Sequence, residues 1–342
     1  SVDYSITPRP IYCADGAKHF DITSRPLDIR PKIKKDLGDF PFFAFWGPGS
    51  GIESSRWIAN SAKWIEEKHQ PDLNLVYLPH LDYNTQKLGP DAPEIADDLK
   101  MIDDVVGDLL DYFAPRNVRV VLLSEYGITP VDRPIHLNRL FRERGWLQIK
   151  DELGRDTLEA GDCKAIAIAD HQIAHVYVLD PSIREEVQQL LASTEGVDQV
   201  MDRSMQMYEG LDHERAGDFV VVSDERSWFT YYFWEDDKRA PDYARTVDIH
   251  RKPGYDPVEL FIPDGLGPKF KIAFTLFRRK ALGQRALMDV IPLDATLVKG
   301  SHGRKPEDRD DWPLLIGPLN LPDRSSIGAI EVYEQLLAAL EL

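Results

Sequence analysis

Four short hydrophobic runs along the chain each end in polar residues that can carry chemistry. They cover 75–79, 118–123, 165–169 and 295–298, and an acid, a histidine or both follow each run. Apolar runs of this length, bounded by turn residues, predict strands buried in a parallel sheet. Because open α/β sheets bind ligands at the carboxyl ends of their strands, the pattern predicts a functional site at one sheet edge.

Hydrophobic positions spaced three and four apart predict amphipathic helices between these strands. They fall at about 57–65, 93–113, 135–145 and 326–341, and an aromatic strand is predicted at 41–46. The resulting β-α-β-α-β-α order predicts right-handed crossovers between parallel strands. Residues 1–40 show little periodicity and predict a surface loop.

A second, smaller β-α-β-β pattern follows in the middle of the chain. Its segments are 174–179, 183–192, 197–202 and 218–223. We interpret residues 163–262 as a lobe inserted into one domain spanning 1–342. The aromatic run 228–234 predicts a packed core strand. The predicted fold is α/β, with a central, mostly parallel sheet flanked by helices and a small inserted α+β lobe.

Composition limits the possible partners and the compartment. The formal charge of −17 over 342 residues argues against binding nucleic-acid duplexes or anionic membranes, although a local cation or basic cluster can still hold a small anion. No apolar run approaches the roughly 20 residues that span a bilayer. Two cysteines fit a reducing compartment, so we expect a cytoplasmic protein. The sequence carries no signal of oligomeric state.

Acids and histidines at the strand ends are the candidate site residues. Asp82 follows a buried run within a turn bounded by Gly89 and Pro90, and His80 lies two positions earlier. Strand alternation would place His80 on the same side as Asp82, although a structural histidine is an equal alternative. Glu125 ends the next run and is a candidate for contact with metal or substrate.

The later strand ends add histidine chemistry. Asp170 and His171 are adjacent, and His171 is a candidate metal ligand or general acid/base, with a structural role left open. His302 lies in a glycine-flanked turn, where the backbone can approach a ligand closely. Arg251 and Lys252 form a basic cluster that either clamps an anionic substrate or lies in a solvated loop.

Four motifs resemble those of the alkaline phosphatase superfamily, nearest to its nucleotide pyrophosphatase/phosphodiesterase and phosphonoacetate hydrolase branch. Residues 82–90 (DYNTQKLGP) resemble the branch's D-x-x-G-H-x-x-G-P element, and 124–128 (SEYGI) resemble S-D-H-G-M. Residues 213–221 (HERAGDFVV) resemble the strand that closes the inserted lobe, and 300–303 (GSHG) resemble G-T-H-G. The order and spacing of these elements cover roughly residues 40–342.

The resemblance implies a site for divalent metal ions, usually two zinc ions. Asp82 and His302 match ligands of the first metal, where Gln86 replaces a histidine. At the second metal, Glu125 and Tyr126 replace an aspartate and a histidine. Glutamate can still bind a divalent cation, whereas tyrosine and glutamine are unusual zinc ligands. The resemblance also implies an upstream aspartate and a Thr or Ser nucleophile, and residues 1–40 contain no counterpart to either.

These departures leave two interpretations open. In the first, the protein hydrolyses a phosphate ester, phosphodiester or pyrophosphate at a remodelled site holding zinc, manganese or magnesium, and acts on a small phosphorylated substrate. Asp82, Gln86, Glu125 and His302, with His80, would hold the metal. Asp170 and His171 would be catalytic, and Tyr126, Arg251 and Lys252 would bind the substrate. In the second, the chain is a catalytically silent relative that binds a metabolite or a partner protein.

Overall fold

The computed structural model describes residues 2–14, 17–263, 265–282, 288–319 and 326–340. The helices are α1 Ile29–Leu37, α2 Ile52–His69, α3 His80–Leu88, α4 Ile95–Phe113, α5 Leu137–Glu143, α6 Arg184–Ser193, α7 Arg203–Glu209, α8 Leu266–Leu282 and α9 Glu331–Ala339. The strands are β1 Ser5–Tyr12, β2 Lys18–Arg25, β3 Leu122–Leu123, β4 Thr129–Pro130, β5 Arg133–Ile135, β6 Ile149–Glu152, β7 Arg155–Leu158, β8 Ala165–Asp170, β9 Ile173–Val178, β10 Val197–Met201, β11 Phe219–Ser223, β12 Ser227–Phe229, β13 Gly300–Ser301 and β14 Leu315–Ile316.

The chain divides into two compact units. The first contains 1–83, 93–125 and 313–342, and the second contains 84–92 and 126–312. The single domain and its inserted lobe stay predictions. The helices predicted at 57–65, 93–113 and 135–145 are confirmed as α2, α4 and α5. The predicted final helix is confirmed as α9, and residue 341 at its predicted end lies outside the described residues.

In the first unit, the prediction of a loop over 1–40 is wrong. β1 and β2 pair as an antiparallel hairpin, and α1 follows it. Pro8 and Pro10 lie in β1 two residues apart, so both positions that lack a backbone N–H fall on the same side of the strand. Ile22, Ile29 and Trp57 belong to the core that joins the hairpin to α1 and α2.

The predictions of two further strands in the first unit, at 41–46 and 75–79, are also wrong. Residues Phe42–Ala44 form a short 3₁₀ helix, and 73–79 form no regular element. The polar cluster after 79 is helical rather than a turn, because α3 begins at His80. Gly89 follows α3 with φ of 90°, so the Gly-Pro pair lies at the end of a helix and not at the end of a turn that follows a strand. Only Leu122–Leu123 of the run 118–123 form a strand, paired antiparallel with β14.

In the second unit, the segments predicted at 174–179, 183–192, 197–202 and 218–223 are confirmed as β9, α6, β10 and β11. β10, β11, β9 and β8 form a four-stranded antiparallel sheet in that order. The core packs around 228–234, whose residues are all buried. Of this aromatic run, only Trp228 and Phe229 belong to a strand, which pairs in parallel with β5.

Helices and sheets are mixed along the chain, and the α/β class is confirmed. The central strands are short in the described ranges, and most of the pairing there is antiparallel. The run 295–298 is not a strand, because Ala295–Leu297 form a 3₁₀ helix capped by Asp294. Among the described residues, no helix combines the length and apolar character needed to cross a membrane.

Candidate active site

The turn between β8 and β9 presents Asp170 and His171. Asp170 pairs with Ile173 at the end of the ladder, which leaves two residues for the hairpin turn. His171 takes φ of 58° at the first turn position, a conformation that favours glycine. Its backbone oxygen accepts a 2.7 Å hydrogen bond from the Phe229 N–H. A buried histidine held in the left-handed region is a feature found at functional sites.

A hydrogen-bonded line joins three predicted site residues in the second unit. His171 Nδ1 lies 2.7 Å from Asp170 Oδ1, and His171 Nε2 lies 3.3 Å from Gln86 Oε1. The hydrogen bond from His171 lowers the pKa of Asp170, so this exposed carboxylate is ionised at neutral pH. The buried Gln86 Nε2 has no hydrogen-bond partner in the described part of the chain.

His302 is enclosed between two rings. Tyr126 stacks on it with centroids 3.6 Å apart and an interplanar angle of 4°, and His171 packs 3.9 Å away at 30°. Burial, and then the charge of His171, lower the pKa of His302 to about 3. Its imidazole is therefore neutral across the physiological pH range, the form in which histidine binds a metal.

Gly300 lets the segment carrying His302 approach the end of α3. A Cβ atom at Gly300 would lie 2.1 Å from the Thr85 carbonyl oxygen, so only glycine fits there. The Lys299 N–H donates a 2.9 Å hydrogen bond to the Gln86 carbonyl. This close approach brings Gln86 and His302 into the same site.

Tyr255 belongs to this site, although the sequence pattern did not indicate it. Its ring lies 4.2 Å from that of His171, and its N–H donates to the Ala169 carbonyl at 2.9 Å. Gly254 bridges to Ala169 with φ of 137°, and a Cβ there would lie 2.8 Å from the Ala169 oxygen. The glycine before Tyr255 was the one available signal, because it permits this contact.

The basic pair before Tyr255 has two different environments. Arg251 is exposed, with its Nε 3.5 Å from Asp248. Lys252 is fully buried, and its Nζ lies 2.7 Å from Asp256 and 2.6 Å from Glu259. Burial raises the pKa of Glu259, opposed by the charge of Lys252. A buried ammonium group held by two carboxylates favours a structural role for Lys252.

The remaining predicted site residues, His80, Asp82 and Glu125, lie in the first unit. Tyr77 donates a hydrogen bond to Asp82, and the charges of Asp82 and Glu125 both act on its hydroxyl. Burial of the hydroxyl, then these two charges, raise the pKa of Tyr77 to about 12. His80 is buried, with Nε2 3.2 Å from Asp98 Oδ1 and a pKa lowered by burial. Neither ring nitrogen of His80 makes a hydrogen bond within the described residues, so both the ligand and the structural interpretation of His80 stay open.

The donor atoms provide only part of a metal site. His302 supplies a neutral imidazole, and the Gln86 amide oxygen suits Mg²⁺ or Mn²⁺ better than Zn²⁺. In the described ranges, no group of three or more His, Cys, Asp or Glu side chains is arranged to hold a metal ion. These residues therefore do not form a complete divalent-metal site, and the roles assigned below to Asp170 and His171 do not involve a metal ion.

Comparison with known proteins places these residues in a family context. Residues 1–256 match the family described as type I phosphodiesterase / nucleotide pyrophosphatase. An uncharacterized pyrophosphatase/phosphodiesterase of Schizosaccharomyces pombe is 33% identical over 87 residues, which are 23% of this chain and 18% of the yeast protein.

Two similar solved structures have low identity to this chain. Phosphonoacetate hydrolase from Sinorhizobium meliloti, in complex with phosphonoformate, is 19% identical with a TM-score of 0.39, and the match covers 56% of this chain and 45% of the hydrolase. Murine ectonucleotide pyrophosphatase / phosphodiesterase 5 is 18% identical with a TM-score of 0.38, and the match covers 51% of this chain and 43% of the murine chain.

The matched region spans less than half the length of each of these relatives. The family match, in contrast, extends over 256 of the 342 residues of this chain. The resemblance seen in the sequence motifs is thereby confirmed. The chain belongs to the type I phosphodiesterase / nucleotide pyrophosphatase family.

Proposed function

We propose that this protein hydrolyses a phosphate ester, phosphodiester or pyrophosphate bond in a small phosphorylated substrate. Family membership supports the reaction class. The observation that carries the proposal is the hydrogen-bonded line from Asp170 through His171 to Gln86, beside the neutral His302. A carboxylate that fixes an imidazole, which in turn faces a polar side chain, is an arrangement found in hydrolytic sites.

The two members of the acid–base pair have different exposures and therefore different roles. Asp170 is 64% exposed and its pKa is lowered, so its carboxylate can accept a hydrogen bond from a water molecule that attacks the phosphorus atom. His171 is 4% exposed, and both of its ring nitrogens already face protein groups. We assign His171 to positioning: it orients Asp170 and Gln86 and packs on His302.

The metal ligands that we propose are those that the family resemblance implies. Asp82, Gln86, Glu125 and His302, with His80, would hold a divalent cation, zinc first, with manganese or magnesium as alternatives. Tyr126 and Arg251 remain our proposed substrate contacts.

Hydrolysis of bis(p-nitrophenyl) phosphate by the 342-residue chain, with added Zn²⁺, Mn²⁺ or Mg²⁺, tests this function. We expect turnover in the wild type and a loss of about 100-fold in Asp170→Asn, which keeps the hydrogen-bonding shape but removes the charge. The exposed Glu214→Gln is the matched control and should retain full activity. A wild type that is inactive with every cation would overturn the hydrolase proposal and favour the silent, binding relative.

His171→Asn separates positioning from catalysis. Because His171 lowers the pKa of Asp170, its loss should move the acidic limb of the pH–rate profile to higher pH as well as lower the rate. A fall in rate with an unchanged pH profile would contradict the assigned role.

A further inference from the structure

A cavity in the second unit is lined by charged side chains of both signs, and these side chains have no ionic partners among the described residues. It has a volume of about 270 Å³, and its polar lining comes from His136, Arg139, Tyr232, Asp237, Asp294 and Thr296. None of these residues belongs to the Asp170–His171 site. The volume is at the small end of the range for ligand pockets, so a ligand there would have few heavy atoms.

The positively charged group of this cavity, the Arg139 guanidinium, is held in place without a carboxylate partner among the described residues. Arg139 Nε donates a 2.6 Å hydrogen bond to the Trp234 carbonyl, and its guanidinium lies 5.7 Å from the centre of the Tyr232 ring. No carboxylate within the described ranges lies in ion-pair distance of Arg139. The guanidinium is therefore fixed at one edge, and its other nitrogens can take the two oxygens of a carboxylate.

Two acids of the cavity are fixed in the same way without cations. Asp237 accepts a 2.9 Å hydrogen bond from the Trp234 indole, and Asp294 accepts from the Thr296 N–H and hydroxyl at 3.0 and 2.6 Å. No Lys or Arg in the described part of the chain lies in ion-pair distance of either acid. Trp234 thus holds Arg139 through its carbonyl and Asp237 through its ring, so the opposite charges stay apart.

The floor of the cavity contains a buried tyrosine hydroxyl without a hydrogen-bond partner in the described residues, and an imidazole that faces a threonine hydroxyl. Tyr232 is 1% exposed and its hydroxyl has no hydrogen-bond partner within the described ranges, although the charges of Asp256, Asp237, Arg139 and Asp294 act on it. Thr230 Oγ1 accepts from the Tyr232 N–H and lies 2.7 Å from His136 Nδ1.

From these charges, we propose that the cavity binds a small zwitterion, an α-amino acid, with its carboxylate on Arg139 and Tyr232 and its ammonium group between Asp237 and Asp294. A simple anion would meet two carboxylates, and a simple cation would meet the guanidinium. A ligand that carries both charges satisfies all three ionic groups and gives the buried Tyr232 hydroxyl an acceptor.

Isothermal titration calorimetry of the 342-residue chain tests this proposal. The probes are the twenty common α-amino acids, with acetate and ethylamine as ligands that carry only one of the two charges. We expect at least one amino acid to bind in a 1:1 ratio, at least tenfold more tightly than acetate or ethylamine. Failure of all twenty to bind, or acetate binding as tightly as the best amino acid, would overturn the proposal.

Three substitutions locate the ligand. Asp237→Asn and Asp294→Asn keep an oxygen for the Trp234 and Thr296 hydrogen bonds but remove the charge, and each should weaken binding at least fivefold. Tyr232→Phe should weaken it about fivefold to tenfold without lowering the melting temperature, because the hydroxyl lost has no partner in the free protein.

Tyr231→Phe is the matched control. Its hydroxyl is also buried without a partner in the described residues, but Tyr231 does not line the cavity. This variant should bind the amino acid as the wild type does. Equal affinity in all four variants, or equal losses in Tyr231→Phe and Tyr232→Phe, would rule out binding at this cavity.

Discussion

The Tyr126 ring lies parallel to the His302 imidazole, with their centroids 3.6 Å apart. Tyr126 occupies the position where the family resemblance places a metal-binding histidine. Here the residue covers one face of the remaining histidine, while His171 packs near it at 3.9 Å. In this chain the side chain at that position packs on His302 and shields one face of its ring from water.

Removing this ring should raise the pKa of His302. Tyr126→Ala exposes the imidazole, and because burial is the main cause of the low pKa, the value should rise from about 3 toward 6.5. Tyr126→Phe keeps the ring and should leave the pKa in place. NMR titration of the His302 ring protons measures both variants, and an unchanged pKa in Tyr126→Ala would contradict burial by Tyr126 as its cause.

Gly300→Ala should destabilise the protein by about 2 kcal/mol or more. The new methyl group would lie 2.1 Å from the Thr85 oxygen and 2.8 Å from Ile128 Cγ2, so the backbone must shift. Gly107→Ala is the control with the opposite sign: it lies within α4 with no atom near the added carbon, and should stabilise by about 0.5–1 kcal/mol. Urea unfolding measures both, and equal stability of Gly300→Ala and wild type would disprove the close approach.

The sequence predicted elements well where the periodic pattern was long. The hydrophobic stripe of α4 identified this helix to within a few residues, and the apolar runs of β9 and β11 identified these two strands. Residues 73–79 misled the prediction because a short apolar run does not specify a strand by itself. Leu75 and Tyr77 are exposed, and the segment has no strand partner in the described ranges.

The candidate site was predictable in its acids and histidines but not in its packing. Asp170, His171 and His302 follow apolar runs, and this position in the chain was enough to single them out. The role of Tyr255 depends on its contact with Ala169, which is far away in sequence, and that of Lys252 depends on its burial beside Glu259. No local pattern distinguishes a buried lysine from a solvated one, so their environments had to come from the structure.

Metal content tests the ligand set that the family resemblance implies. If the ligand set implied by the resemblance binds a metal, protein purified without chelator should contain zinc or manganese, and the content should fall in both Asp82→Ala and His302→Ala. The exposed His213→Ala is the control and should retain its metal. Elemental analysis measures the metal content. Wild-type protein that stays metal-free after incubation with Zn²⁺ and Mn²⁺ would show that the predicted ligand set is wrong.

His136 should make the protein less stable as the pH falls below 6.5. Burial, then the charge of Arg139, lower the pKa of this histidine to about 4, and its ring stacks on Tyr232. The unfolded chain, in which the pKa is about 6.5, then binds the extra proton between pH 6.5 and 4. The free energy of unfolding therefore falls through this window, by up to about 3 kcal/mol, and this loss is complete below pH 4.

His136→Gln removes this contribution. The pH dependence of its unfolding free energy, measured in urea between pH 7 and 4.5, should be shallower than that of the wild type by up to one proton. His19→Gln changes an exposed histidine on β2 and should retain the wild-type slope. Other histidines contribute to the slope that remains in His136→Gln, because burial also lowers the pKa values of His80, His175 and His302. Identical slopes in wild type and His136→Gln would show that His136 does not need to stay neutral for folding.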